Sequence, residues 1–303
     1  MSEVPISFDD FLPPAMAAKG EDLGVKKAGL PISKMFVLAI LAGAFIAMGA
    51  IFATTVGSGS ISVKDAAGAA AFSTGWPFGV TRLLMGLTFT VGLILVVIGG
   101  SELFTGNNLI MMAYASRKVT MGALLRNWVV VWIGNLVGSV LTAYIVFLGK
   151  QYSFGSGAIG ATALAIGEAK TSFTFVQAVA LGIMCNALVC MAVWMCYSAR
   201  TVTGKILAII PPISCFVAAG FEHSVANMYF IPVSLFIKGG GDPKFFQAIG
   251  KTAESYPHLT WGNFFIGNLL PVTIGNIIGG AVMVGMVYWW IYLRKSVAPA
   301  GAK

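Results

Sequence analysis

The chain has 303 residues, 57% hydrophobic and only 10% charged, with a mean hydropathy of +0.86 and a formal net charge of +8. Soluble domains carry about 25% charged residues, so this composition excludes one and places the chain in a bilayer. The excess positive charge is not gathered on a basic face, which excludes a nucleic-acid binder.

Residues 1–34 are mixed and polar, without the early apolar run of a cleavable signal, so the first span is expected to serve as the address. Within this N-terminal segment, Phe8, Phe11, Leu12 and Met16 of "SFDDFLPPAMAAK" suit a short amphipathic helix, lying on the membrane surface or against the bundle. A span needs about 20 apolar residues. Met35–Val56, Trp128–Leu148, Phe173–Cys196 and Phe264–Tyr292 meet that need directly.

Two regions do not. Leu83–Gly100 runs into "SELFTGNN", with only "LIMMAYA" left before Arg117. Ile206–Phe221 runs into "EHSVAN", with only "MYFIPVSLFI" left before Lys238. Neither remainder crosses alone, so each region is read as one span interrupted partway. A bilayer tolerates such a break only where protein or a water-filled cavity satisfies the freed backbone. The fold class is therefore an all-α membrane protein of six transmembrane helices, with interrupted helices 2 and 5. The transmembrane domain covers 35–292 and a tail covers 293–303.

An even count puts both termini on one side. That side holds 12 of the 19 basic residues: Lys19, Lys26, Lys27, Lys34, Arg117, Lys118, Arg126, Arg200, Lys205, Arg294, Lys295 and Lys303. The positive-inside rule then predicts cytoplasmic termini. Trp76 and Trp261 would mark the outer interface, and Trp194, Trp289 and Trp290 the inner one. The cysteines Cys185, Cys190, Cys196 and Cys215 lie in apolar runs without a CxxC pair and read as small core residues.

The chain also repeats. "WIGNLVGS" (Trp132 to Ser139) matches "TIGNIIGG" (Thr273 to Gly280), pairing Asn135 with Asn276, and Gly43 pairs with Gly182. "ELFTGN" and "EHSVAN" both read E-x4-N. Together these matches define two three-helix halves, about 35–148 and 173–292. Three spans per half make the second copy inverted, and inverted repeats with paired broken helices point to a transport site at mid-membrane.

Of the 11 acidic residues only Glu102 and Glu222 fall within spans, at equivalent breaks. Buried carboxylates are costly in lipid, so each is expected either to line a path or to cap a half-helix. His223 sits beside one of them, in a break, and histidine is the side chain most easily tuned to change charge near neutral pH. The other histidine, His258, reads as a solvated loop residue. No GxSxG, HExxH or phosphate loop occurs, which sets an intramembrane enzyme aside, and the residues call for no cofactor or metal.

These residues resemble the formate/nitrite transporter family of bacterial and archaeal inner membranes. "FDDFLPPAMA", "GSELFTGN", "KTSFTFVQAVALGIMCNALVCMAVWM", "GFEHSVANM" and "NLLPVTIGNIIGG" carry the resemblance, from Phe8 to Arg294, and look most like its formate channels. The resemblance implies a homopentamer of aquaporin-like protomers in the inner membrane, each with its own pore for a small weak-acid anion. Formate is the implied substrate, with nitrite or hydrosulfide as alternatives and a water or glycerol channel as the rival class. By the same resemblance His223 would be the central pore histidine and Thr105 its partner across the pore. The histidine would either pass a proton to the anion or, as a cation together with the helix N-termini at the breaks, simply stabilise it. Phe89, Leu93, Leu103, Phe104, Val189 and Phe216 would form or flank two apolar constrictions. Asn186 and Asn276 would offer hydrogen bonds along the path, and Lys170 a positive charge at the outer approach.

Overall fold

The structure is a computed structural model and describes residues 10–64 and 70–294. Phe8 and residues 295–303 of the expected tail lie outside the described residues. The first element is α1, Pro13–Ala28, with proline in its first turn, where a missing N–H costs nothing. Its buried face, including Met16, Ala17 and Gly20, packs on Leu109, Met112, Trp194 and Tyr197. Buried Glu21 of α1 pairs with Lys118 in the loop beyond. The helix thus lies against the end of the bundle.

Among the described residues, six apolar helices are long enough to cross a membrane: α2 (Ile32–Gly57), α3 (Phe78–Gly99), α6 (Met121–Leu148), α8 (Phe175–Ser198), α9 (Val202–Ala219) and α12 (Asn263–Tyr292). Beyond a break, α3 is followed by α4 (Phe104–Asn107) and α5 (Met111–Ala115), joined by a 3-10 turn. Beyond the equivalent break, α9 is followed by α10 (Ser224–Gly240). On the far side lie α7 (Ala158–Thr171) and α11 (Pro243–Ile249). A short antiparallel pair, β1 (Ser60–Lys64) with β2 (Ala70–Gly75), is the one sheet among the described residues.

Helix boundaries differ from the expected ones where a charge was read as loop. Arg82, Arg126 and Lys205 all lie inside helices, and the two arginines find partners there. Arg126 donates to the carbonyl oxygens of Ala28 and Leu30, and Arg82 to those of Val217 and Ala218. Helix α7 has no counterpart in the expected elements; its run of small residues was too short for a span. Trp194 does not mark an interface: it is buried and stacked on Tyr288 with centroids 4.1 Å apart. Cys185, Cys190 and Cys196 are buried as expected, but Cys215 is exposed. His258 is held by the Glu168 carboxylate, with Nδ1 to Oε1 at 2.6 Å.

Helix α2 packs on α3 and α6, and α8 packs correspondingly on α9 and α12. Both contacts with the third helix of the half rely on missing side chains. A methyl group on Gly138 would overlap the Ile40 carbonyl oxygen, and one on Gly279 would overlap that of Ile183. The two breaks then meet between the halves, with α3 against α9 and α10 against α6.

Candidate functional site

Each break begins the same way. Helix α3 ends at Gly100 (φ 75°) and α9 at Gly220 (φ 80°), both left-handed, a conformation that glycine adopts without steric cost. Three non-helical residues follow in each half, Ser101–Leu103 and Phe221–His223. Their backbone is satisfied by one asparagine per half. Asn135 Oδ1 accepts from the Phe104 N–H at 2.9 Å, and Asn276 Oδ1 accepts from the Ser224 N–H at 2.9 Å. Asn135 Nδ2 donates to the carbonyl oxygens of Ala39 and Glu102, and Asn276 Nδ2 to those of Gly182 and Glu222.

The glutamates are matched too. Lys27 donates to Glu102 Oε1 at 2.7 Å, while Asn107 donates to Glu102 Oε2 at 2.7 Å and to Asn127 Oδ1 at 2.9 Å. In the other half Lys170 donates to Glu222 Oε1 at 2.6 Å. Asn227 donates there to Glu222 Oε2 at 2.6 Å and to Asn268 Oδ1 at 2.7 Å. Each carboxylate is thereby paired and hydrogen-bonded, the condition under which a buried charge is tolerated.

Between these networks the symmetry stops. Position 103 is leucine and position 223 histidine; position 105 is threonine and position 225 valine. His223 Nδ1 accepts the Ala226 N–H at 3.0 Å, capping α10. A backbone N–H can only donate, so the ring proton sits on Nε2, 3.0 Å from Thr105 Oγ1. Thr105 accepts that proton, which leaves its own hydroxyl hydrogen free to be offered elsewhere. Both side chains are buried.

Two cavities approach this pair from opposite ends. One, of about 190 Å³, lies among Arg82, Phe89, Lys170, Phe216, Glu222 and His223. The other, of about 530 Å³, lies beneath α1 among Lys19, Lys27, Leu93, Glu102, Leu103 and Lys205. Phe89 faces the first and Leu93, one helical turn on, faces the second. Phe216 packs edge-on against Phe89 and stacks on the His223 ring at 5.8 Å.

The residues singled out from the sequence fall into two groups. His223, Thr105, Glu102, Glu222, Lys170, Phe89, Leu93, Leu103 and Phe216 gather around the paired side chains or the cavities that flank them. Phe104, Val189, Asn186 and Asn276 are buried but line neither cavity. Phe104 packs on Trp128, and Asn186 donates to the carbonyl oxygens of Thr105 and Asn276 and to Asn108 Oδ1. Sequence reasoning missed Lys27, the partner of Glu102, and Arg82. Once Glu102 is matched to Glu222, a second lysine to mirror Lys170 is the signal to look for.

The family profile described as formate/nitrite transporter matches residues 14–290. The formate channel FocA of Escherichia coli strain K12 is 43% identical over 289 residues, covering 95% of this chain and 97% of its own. A solved structure described as a pentameric formate channel with formate bound has a TM-score of 0.77 at 45% identity, covering 87% of this chain and 98% of its own. Another, described as an FNT family ion channel, has a TM-score of 0.72 at 29% identity, covering 91% of this chain and 98% of its own.

Proposed function

Because the chain belongs to the formate/nitrite transporter family, we propose that it conducts formate across the membrane, one pore per protomer of a homopentamer. The observation that carries this reading is the His223–Thr105 pair, a polar station buried between two cavities and flanked by Phe89, Phe216, Leu93 and Leu103. A bare carboxylate entering that apolar stretch would lose several kcal/mol or more of solvation. The Thr105 hydroxyl hydrogen, freed because Thr105 accepts from His223, is the donor that meets it there. Lys27 and Lys170 stand near the two mouths, each held by a glutamate, and place N–H donors there for the anion to pass.

Proton coupling belongs to the same proposal. His223 at rest is neutral, with Nδ1 committed to Ala226. For formate to leave as formic acid, a proton from water must reach the ring, and the Nε2 proton must pass to a formate oxygen. During that interval Nδ1 carries hydrogen and the Ala226 bond opens. The anion and one proton enter and the neutral acid leaves; the ring is then neutral with its hydrogen on Nδ1. The resting form returns when Nε2 takes a proton from solvent and Nδ1 releases its own to solvent, remaking the Ala226 bond. We place both termini in the cytoplasm of a cell bounded by the inner membrane, on the basic-residue bias.

Purified protein in liposomes should pass formate far faster than chloride or sucrose. Formate flux equal to that of empty vesicles would overturn the reading. Osmotic water flux without anion flux would instead favour a water or glycerol channel, and faster nitrite than formate would transfer the assignment to nitrite.

A further inference from the structure

The two cavities differ in a way that conduction of one small anion does not require. The cavity beneath α1 is about 530 Å³ against about 190 Å³ at the other end. It is lined by Lys19, Lys26, Lys27 and Lys205 and by a single carboxylate, Glu102, which Lys27 already neutralises. At the other end Lys170 is matched by Glu222, and the Arg82 guanidinium is spent on carbonyl oxygens of α9. Among the described residues, an excess of lysines thus lines the cavity beneath α1 and not the other.

Lys19 and Lys205 are both half-buried, and Lys19 donates to the Tyr197 carbonyl oxygen at 2.9 Å. The Lys19 ammonium is held below the usual lysine range, first by burial and then by the nearby charges of Lys205 and Arg200. Like charges converging at a half-buried place repel one another, and an anion between them turns that repulsion into attraction. A second feature points the same way. Ser101 Oγ, on the wall of this cavity and buried, has no hydrogen-bond partner among the described residues. A hydroxyl in that position is a ready donor. Leu23, Leu30 and Leu38 add apolar wall, the mixture of mostly apolar lining and a few converging polar groups that marks ligand sites.

We propose that the cavity beneath α1 binds a multivalent phosphate-bearing anion, held between Lys19 and Lys26 of α1 and Lys205 of α9, and that its occupancy closes this mouth of the pore. A phosphate group carries about −1.5 to −2 charges at neutral pH and offers acceptor oxygens in several directions. That suits ammonium groups arriving from two helices, where a monovalent carboxylate leaves the charge uncompensated. By bridging α1 to α9 the ligand also pins α1 across the cavity. Binding needs only the cavity and stands apart from the formate reading; the closure rests on it.

The test is a titration of the detergent-purified oligomer with inorganic pyrophosphate at constant ionic strength, followed by melting temperature and calorimetry. Saturable stabilisation is expected, stronger than with sulfate, and weakened by about tenfold or more in Lys19→Gln and in Lys205→Gln. A parallel titration with dihexanoylphosphatidic acid, whose headgroup is a phosphomonoester, separates a soluble phosphate from a lipid headgroup, since the source is the compound whose binding the lysine variants lose. Should either variant fail to assemble, Lys26→Gln, with an exposed side chain, supplies the comparison. No stabilisation by either compound, or stabilisation that the variants keep in full, overturns the site. In liposomes that conduct formate, pyrophosphate on the α1 side should slow the flux of the wild type; bound pyrophosphate with undiminished flux overturns the closure.

Discussion

His223 Nδ1 accepts the backbone N–H of Ala226 at 3.0 Å, and this bond decides which ring nitrogen faces Thr105. It also makes His223 an N-cap, so a substitution that removes the cap confuses folding with chemistry. Asparagine avoids the confusion, because its side-chain oxygen is among the best N-cap acceptors while its amide does not titrate. His223→Asn should therefore assemble normally and conduct formate with a flux that no longer depends on pH between about 5 and 8. His223→Phe should lose the cap, at about 1 kcal/mol, and most of the flux. Thr105→Val removes only the hydroxyl and should lower flux with a milder change in pH response. The measurement is flux against pH in matched liposomes. Superimposable curves for wild type and His223→Asn would leave His223 as a structural cap and end the proton-coupling proposal.

Glu102 and Glu222 share the lysine and asparagine bonds, but Glu222 accepts one more, from Asn268 Nδ2 at 3.2 Å, and the exposures of their lysine partners differ. The Lys27 side chain is 29% exposed and that of Lys170 is 16%, so Lys170 has less water to fall back on. Removing one partner of a buried pair strands the other, at about 3–5 kcal/mol when burial is complete. Glu222→Ala should accordingly lower the melting temperature of the assembly more than Glu102→Ala. Both glutamine variants should be milder, because an amide oxygen still accepts from the lysine and the asparagine. Equal losses for the two alanine variants would show that local exposure does not set the cost.

The six spans, the two breaks and the pairing of Glu102 with Glu222 were legible because they rest on hydropathy and on repeated motifs, which the chain states openly. The His223–Thr105 contact was reached through resemblance: the two residues lie 118 positions apart, and no local pattern brings them together. Lys27 was misread as an orienting loop charge. It lies in α1, and only the folding of that helix back onto the bundle delivers its ammonium to Glu102. Helix α7 was invisible because its Gly- and Ala-rich sequence satisfies no span criterion, although it carries Lys170 to the cavity. Asn186 and Asn276 were expected along the path, but their amide hydrogens close backbone gaps at the breaks.

Gly275 faces α8 where the two helices cross closely enough for its Cα to approach the backbone of Val179 and Gly182. A Cβ there would overlap the Val179 carbonyl oxygen, which belongs to helical backbone and has no flexible end to yield. Close crossings by small residues are a main source of helix association in lipid, where no hydrophobic gain drives it. Gly275→Leu should therefore push α8 and α12 apart, drag Asn276 from the Ser224 N–H that it satisfies next door, and lower recovery of the assembled oligomer. Gly122→Ala is the control, since a Cβ at Gly122 meets nothing within 4 Å, and should change stability by at most about 1 kcal/mol. Size-exclusion profiles and melting temperatures of the two variants decide the matter: a Gly275→Leu protein that matches the control in both would show that this crossing yields freely and does not hold the break in place.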